Sequence, residues 1–250
     1  MSAKLRQLDI LHRARSEGHV SVETLADTLG VTLQTIRRDL ADLASAGQLE
    51  RVHGGAVVPS GTVNIAYEER RRLNEVAKAR IAARAARLIP NDICLFVSIG
   101  TTAEAVARAL HSHSGLMVVT NNINVAQILS GHPDARIVLT GGTLRHTDGG
   151  LTGPLADAQL AQFRFDLAVI GCSAIDAQGM LLDFDMDEVR ALRGVIDTAK
   201  QSCLVVDQSK FARHAPMTIA PINRLDQVIT DAPLPDAIAG NMPHTDILLA

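Results

Sequence analysis

The sequence predicts an α/β protein in two parts, an N-terminal winged helix-turn-helix and a larger α/β domain built on a mostly parallel sheet. Three observations predict it. Residues 1–58 hold two short helical patterns joined at a glycine and followed by a Gly-Gly hairpin. From residue 93 onward, short apolar runs alternate with helical patterns, as when helices cover the faces of parallel strands. The length, 250 residues, suits one small domain plus one larger one, and 47% apolar residues supply material for both cores.

The elements follow in order. Leu5, Leu8, Leu11 and Ala14 recur at three-residue spacing and predict one apolar stripe on a helix ending near Gly18. In HVSVETLADTLG, Ser21 is the N-cap, Leu25 and Leu29 face inward, and Gly30 stops the helix in a left-handed conformation. Thr32 caps the next helix, whose buried face is Ile36, Leu40 and Leu43 and which ends at Gly47. LERVHGGAVV then reads as a wing of two short strands around Gly54-Gly55. The second helix presents Thr32, Gln34, Thr35, Arg37 and Arg38. Arginine can bond two acceptors of guanine and glutamine can pair with adenine, so this face has the chemistry to read base edges in a major groove. A plain solvated face is the competing reading. The agreement of caps, turn glycine and wing favours double-stranded DNA as the partner.

Charge is uneven. Residues 1–58 are net neutral, 59–90 are net +4, and 91–250 are net −7, for a total of −3. A uniformly basic nucleic-acid coat is excluded. Lys4, Arg6, Arg13, Arg15 and Arg51 are then the sources of positive charge near the duplex. Aromatic residues are 2% of the chain, which disfavours aromatic stacking platforms for single strands. No run is long and apolar enough for a membrane span, and the N-terminus lacks the features of a signal peptide. Cys94, Cys172 and Cys203 sit in apolar runs and lack metal-ligand spacing. They read as buried thiols of a cytoplasmic protein with neither metal nor cofactor.

Pro59, Ser60, Gly61 and Asn64 mark a break, and residues 59–75 are expected to be a linker. The run EERRRLNEVAKARIAARAARLIP predicts one helix, with Ile81, Ala85 and Leu88 packing on the domain that follows. The Arg70-Arg71-Arg72 cluster reads as a solvated face, with contact to the DNA backbone as the alternative.

The expected strands are 93–97, 116–119, 136–139, 167–170, 203–206 and 225–229. Ligands of such sheets bind beyond the carboxyl ends of strands. The residues there are mostly small, hydroxyl-bearing, amide-bearing or glycine. Gly100-Thr101-Thr102 opens a helix and offers backbone N–H groups and hydroxyls to an anion, and Lys210 adds a full positive charge. Neither a Walker motif nor a dinucleotide fingerprint is present, so the pattern favours a small phosphate ester. A bare turn plus helix cap is the plainer reading of Gly-Thr-Thr taken alone.

The run TIRRDLADLASAGQLERVHGGAV resembles the signature of DeoR-type bacterial transcriptional regulators. The resemblance implies a DNA-binding domain over 1–58, with His53 of the wing joining Thr32, Gln34, Thr35, Arg37 and Arg38 at the DNA. It extends through an effector domain over 76–250 whose family fold is similar to ribose-5-phosphate isomerase. There it implies phosphate contacts from Gly100, Thr101 and Thr102, with Asn121, Asn122, Gly141, Gly142, Ser173 and Lys210 lining the pocket. The isomerases carry an acid-rich loop where this chain has Gly171-Cys172-Ser173-Ala174-Ile175-Asp176, with the single acid Asp176. That departure argues against proton-transfer catalysis. Asp176, Asp183, Asp185 and Glu188 remain as partners for ligand hydroxyls, unless they are solvated or cap a helix. Arg145 and His146 read as surface residues. The runs SIGTTAEAVARAL, VVTNNINVA, LTGGTLRHTDGGLTG, LLDFDMDEVR and VVDQSKFAR are most similar to the subgroup governing glycerol 3-phosphate use, which implies that compound as effector and a dimer or tetramer. The expectation is a repressor released from its operator by a small phosphate ester. Another sugar phosphate as effector, an isomerase-like enzyme and an activator are the alternatives.

Overall fold

The computed structural model describes residues 3–17, 19–52, 54–57, 64, 67–240, 242 and 244–250. His53 and the Pro59-Ser60-Gly61 break lie outside the described residues.

The N-terminal part runs α1 (Ala3–Glu17), β1 (His19–Ser21), α2 (Val22–Leu29), α3 (Leu33–Ser45), β2 (Glu50–Val52) and β3 (Gly55–Val57). Ser21 Oγ accepts the Thr24 N–H at 3.0 Å and starts α2; Gly30 ends it at φ +64°. Thr32 Oγ1 accepts the Thr35 N–H at 3.2 Å and starts α3. The strands form one antiparallel sheet in the order β1-β3-β2, so the wing is anchored to the turn before α2. Ile10, Leu11, Ala14, Leu25, Ile36, Leu40 and Leu43 make the core.

The stripe expected on α1 is displaced. Leu5 and Leu8 are 60% and 57% exposed, whereas Ile10, Leu11 and Ala14 are buried. The amino-terminal half of α1 meets α3 through polar groups instead: the Arg6 guanidinium forms a two-point ion pair with buried Asp39. That pair also removes Arg6 from the cations expected to serve DNA.

The single helix expected over 68–90 is two helices, α4 (Tyr67–Arg72) and α5 (Glu75–Ala86). They are separated at Asn74, whose left-handed φ of +51° interrupts the ladder. The chain then runs β4 (Cys94–Val97), α6 (Thr101–Ala109), β5 (Leu116–Thr120), α7 (Ile123–Leu129), β6 (Ala135–Leu139), β7 (Thr143–Arg145), β8 (Gly150–Thr152), α8 (Pro154–Leu160), β9 (Leu167–Ile170), β10 (Ala174–Ile175), β11 (Met180–Asp183), α9 (Met186–Thr198) and β12 (Ser202–Val205). It closes with a 3₁₀ turn at Gln208–Ala212, β13 (Met217–Pro221), a second at Ile222–Arg224, β14 (Gln227–Thr230), α10 (Asp236–Ala239) and β15 (Asp246–Leu249).

All six expected strands lie in one parallel sheet of order β15-β14-β12-β9-β4-β5-β6. The seventh, β15, was not expected. It is an edge strand with Ile247 and Leu249 exposed and so lacks the fully apolar signature of a central strand. From β4 the chain winds outward to β6, returns to β9 beside β4, and winds outward the other way. The two central strands therefore flank a topological switch point, where an open α/β sheet leaves a crevice. One face of the sheet carries α5, α6 and α7 over Leu95, Val97 and Val118. The other carries α9 over Phe96, Ile170 and Leu204.

The asymmetry of α1 sets an expected outcome. Leu11→Ala lowers unfolding free energy by about 2–3 kcal/mol, and Leu8→Ala by less than about 0.5 kcal/mol. Urea unfolding of the full chain, followed by hydrogen exchange of α1–α3 amides, checks the pair; equal losses would mean that α1 faces the core differently.

Candidate functional site

Two surfaces bring together residues with chemistry to offer. On α3, Gln34, Arg37 and Arg38 lie three and four residues apart on one exposed face. Among the described residues, none of the three has an ion pair or hydrogen bond, so their donors are unengaged. Thr32 is exposed and Thr35 half-buried, and their hydroxyls lie 2.9 Å apart. Exposed Leu33, which sequence reasoning passed over, places an apolar group beside them. Arg51 is exposed on the wing strand β2. The ends of α2 and α3 are fixed by caps, so this face is a rigid helix side.

The second surface is the switch-point crevice. β4 ends in Ser98-Ile99-Gly100, with Gly100 at φ +135°, and α6 begins at Thr101 with no side-chain cap. Its first intrahelical bond from this turn is Glu104 N–H to Gly100 O at 2.9 Å, which leaves the preceding amides facing the crevice. Ser98 Oγ accepts the Gly171 N–H at 3.1 Å and ties the end of β4 to the end of β9. The crevice is walled by the Gly100–Thr102 turn, Cys172, Ser173, Asp183, Glu188 and Lys210, with Arg70 of α4 over it.

Lys210, Arg213, Arg70 and Lys78 come together here with Asp207, Asp148, Asp183 and Glu188 among them. Burial, with Arg213 alongside, pushes Lys210 down to about 8, and among the described residues its ammonium has no ion pair or hydrogen bond; its backbone N–H donates to Asp207 O at 3.1 Å. Burial and Arg70 lower Arg213 to about 10. Burial lowers Lys78 to about 8. Burial works to raise Asp207, yet Lys210, the Ser209 hydroxyl and Lys78 outweigh it and hold this carboxyl below its usual range. Cations depressed together mark a place where an arriving anion is favoured. Burial pushes the Cys172 thiol up to about 12, so it is an inert wall group.

Acids line the opposite side. Burial and the neighbouring Asp183 raise Glu188 to about 8, against the pull of Arg145. Arg145 is no surface residue: it holds Asp148 at 2.8 and 3.0 Å, Asp185 at 2.8 Å and Glu188 at 2.5 Å. His146 is exposed, as expected. Asp183 can accept from hydroxyl groups of a bound molecule, and Glu188, raised by burial, can accept from or donate to them.

Of the sequence-predicted pocket residues, the crevice gathers Gly100, Thr101, Thr102, Ser173 and Lys210. The others stand behind it. Asn121 Nδ2 donates to Leu151 O at 3.3 Å. Asn122 Oδ1 caps α7 on the Asn124 N–H at 2.9 Å. Gly141 N–H donates to Gln159, and a Cβ on Gly142 would meet Thr152 O at 2.6 Å, so both glycines serve close packing of the β6–β7 turn. Asp176 accepts the Gln178 and Met180 amides at 3.0 and 2.8 Å, holding the β10–β11 hairpin. Asp185 caps α9, and Lys200 instead pairs with Asp166.

The arginine triplet divides: Arg71 and Arg72 are solvated, whereas Arg70 reaches Asp148 at 3.1 Å and joins the crevice. Tyr67, the only tyrosine of the chain, donates to Glu104 at 2.9 Å. Neither Arg70 nor Tyr67 carries a sequence signal beyond its neighbours, because a run of three arginines does not say which one turns inward. Among the described residues no cluster of His, Cys, Asp or Glu is placed to hold a metal, and no helix is long and apolar enough to cross a membrane.

Comparison with known proteins gives the following. The profile described as DeoR-like helix-turn-helix domain matches residues 6–62, and that described as DeoR C terminal sensor domain matches residues 73–232. The chain is 44% identical over 238 residues to the glycerol-3-phosphate regulon repressor of Escherichia coli (strain K12), spanning 95% of this chain and 94% of that protein. Similar solved structures include eIF2B beta from Chaetomium thermophilum (15% identity, TM-score 0.53, 91% of this chain and 85% of that one). They also include ribose 5 phosphate isomerase A from Neisseria gonorrhoeae (11% identity, TM-score 0.39, 55% and 53%).

Proposed function

Because this chain belongs to the DeoR family of helix-turn-helix regulators, we propose that it is a transcriptional repressor whose α3 reads operator DNA and whose switch-point crevice senses a small phosphate ester, glycerol 3-phosphate, that releases it. It is a regulator and not an enzyme: the relatives are repressors, and Asp176 in the loop equivalent to the isomerases' acidic loop is engaged in a hairpin turn.

The observation that carries the sensing role is an uncapped helix N-terminus with the Lys210 ammonium, which has no ion pair among the described residues, in the same crevice. The Thr101 and Thr102 amides and hydroxyls surround one phosphate, at the positive end of the α6 dipole. Lys210 and Arg213 supply full charges, and Arg70 adds a third. Asp183 and Glu188 meet the hydroxyl groups of a polyol chain on the other side. Ser173 stands between the two sets. Asn121, Asn122, Gly141 and Gly142 act behind this layer by holding the β5 and β6 ends in place.

At the DNA, Gln34, Arg37 and Arg38 take base edges and phosphates, with Thr32 and Thr35 beside them. A two-fold dimer places two such helices about 34 Å apart on successive major grooves. A dimer or a pair of dimers in the cytoplasm, where the chromosome lies, is the assembly consistent with that geometry.

Three outcomes follow. Arg37→Ala weakens operator binding about tenfold or more in a gel-shift titration and leaves phosphate-ester binding unchanged; loss of both together would point to misfolding. Glycerol, lacking the phosphate, fails to dissociate the operator complex at concentrations where glycerol 3-phosphate does so, and equal release by the two would remove the anion from the mechanism. Effector affinity also falls as pH rises through about 8. Lys210 loses its charge there and Glu188 gains one, so both changes make the crevice more negative, while the phosphate is already a dianion. Calorimetric titration of the wild type and Lys210→Met between pH 6.5 and 9.5 (about one and a half units either side of that value) measures it; a wild-type fall no steeper than the variant's, in which Glu188 alone still titrates, would contradict the assignment of Lys210.

A further inference from the structure

The segment between the two domains is built into the sensor. Asn64 Nδ2 donates to Ser173 Oγ at 3.0 Å, Tyr67 Oη donates to Glu104, and Asn74 Nδ2 donates to Asp207 at 2.8 Å. Most telling is the backbone carbonyl of Arg70. It accepts from the Thr101 hydroxyl at 3.3 Å and from the Lys78 ammonium. A carbonyl oxygen thus takes, at the mouth of the crevice, a hydroxyl donor that an anion there would use.

The space agrees. With α4 in this position the crevice has a free volume of about 30 Å³, room for roughly two waters and too little for a phosphorylated three-carbon compound. On the far side of the partition a groove of about 510 Å³ runs between α5 and α6, lined by Lys78, Arg71 and Arg108 and bordered by the same Thr101. Thr101 and Lys78, the two groups bound to the Arg70 carbonyl, are where the two spaces meet.

We infer that α4 is a latch on the effector site: the incoming phosphate displaces the Arg70 carbonyl from Thr101, α4 lifts, and the movement passes to the DNA-binding domain. The inference rests on the reading of the crevice as a phosphate-ester site. The path outward is physical contact. α4 packs against α1, and α1 carries Arg6, which holds Asp39 of α3. The closed latch therefore belongs to the operator-binding state and the lifted latch to the ligand-bound state. The ligand shifts the balance because it fits only when α4 is away.

This makes a prediction of unusual sign. Tyr67→Phe deletes the hydroxyl that fastens α4 to Glu104 and leaves Thr101, Lys210 and Arg213 intact. A weaker latch lets the ligand in more readily, so the glycerol 3-phosphate concentration for half-release of operator falls about three- to tenfold. A residue that merely contacted the ligand would raise that concentration. Operator affinity without ligand stays equal or drops, and never rises. An unchanged or higher half-release concentration overturns the latch.

Hydrogen exchange on the full wild-type chain separates the two ideas. With glycerol 3-phosphate, amides of 100–103 gain protection and those of 67–72 lose it. Protection at 100–103 with 67–72 unaltered leaves the phosphate site standing and removes the latch. No change in either segment at concentrations up to saturating levels for related repressors removes the phosphate site, and the latch with it.

Discussion

The structure turns on buried charge gathered at one edge of the parallel sheet. Lys210, Arg213 and Arg70 meet at the switch point beside the uncapped start of α6, and burial deprives them of water. Packing so many cations together is unfavourable in itself, because each disfavours the charged form of the next. Asp207, Asp148 beside Arg70, and the acid pair on the far wall offset that cost. Under the proposed function, a dianion with hydroxyl groups is matched to cations on one side and carboxylates on the other.

The parallel sheet is what makes this convergence possible. Every strand of the large sheet delivers its carboxyl end to one edge, and winding away from β4 and β9 in opposite directions opens the crevice between them. The rest of the edge supports the geometry. Arg145 locks Asp148, Asp185 and Glu188 into one network, and the buried Glu104 is held by Tyr67, Asn122 and Asn124. Polar networks of this kind are worth their desolvation only when each member is satisfied, and they fix one arrangement rather than several.

The same arrangement gives the binding event a mechanical consequence. In the proposed latch, the segment that joins the domains also closes the site, which would make occupancy and domain geometry dependent on each other. The interaction between α1 and α3 through Arg6 and Asp39 extends that path into α3, the helix proposed to read DNA. Coupling of this sort requires two discrete arrangements of packed elements rather than a graded deformation.

Much of this was legible in the residues themselves. Ser21, Gly30 and Thr32 declare the limits of α2 and α3 because caps act within four residues. The apolar runs ending at Val97, Ile170 and Val206 declare central strands because both faces of such strands are covered. Gly100-Thr101-Thr102 and Lys210 stood out as candidate anion ligands for the same local reasons, and the fold brings them to one crevice. What the sequence could not disclose was which polar residues turn inward. Leu8 is exposed while Leu11 is buried, Asn121 and Asn122 stand behind the crevice instead of lining it, and Arg70 joins the site while Arg71 and Arg72 remain in solvent. Local chemistry, set by neighbours along the chain, determined the elements and their caps. The partnerships of Arg70, Arg145 and Tyr67 span from 3 to 78 residues of separation, and only the folded sheet, by bringing distant strand ends to one edge, decided them.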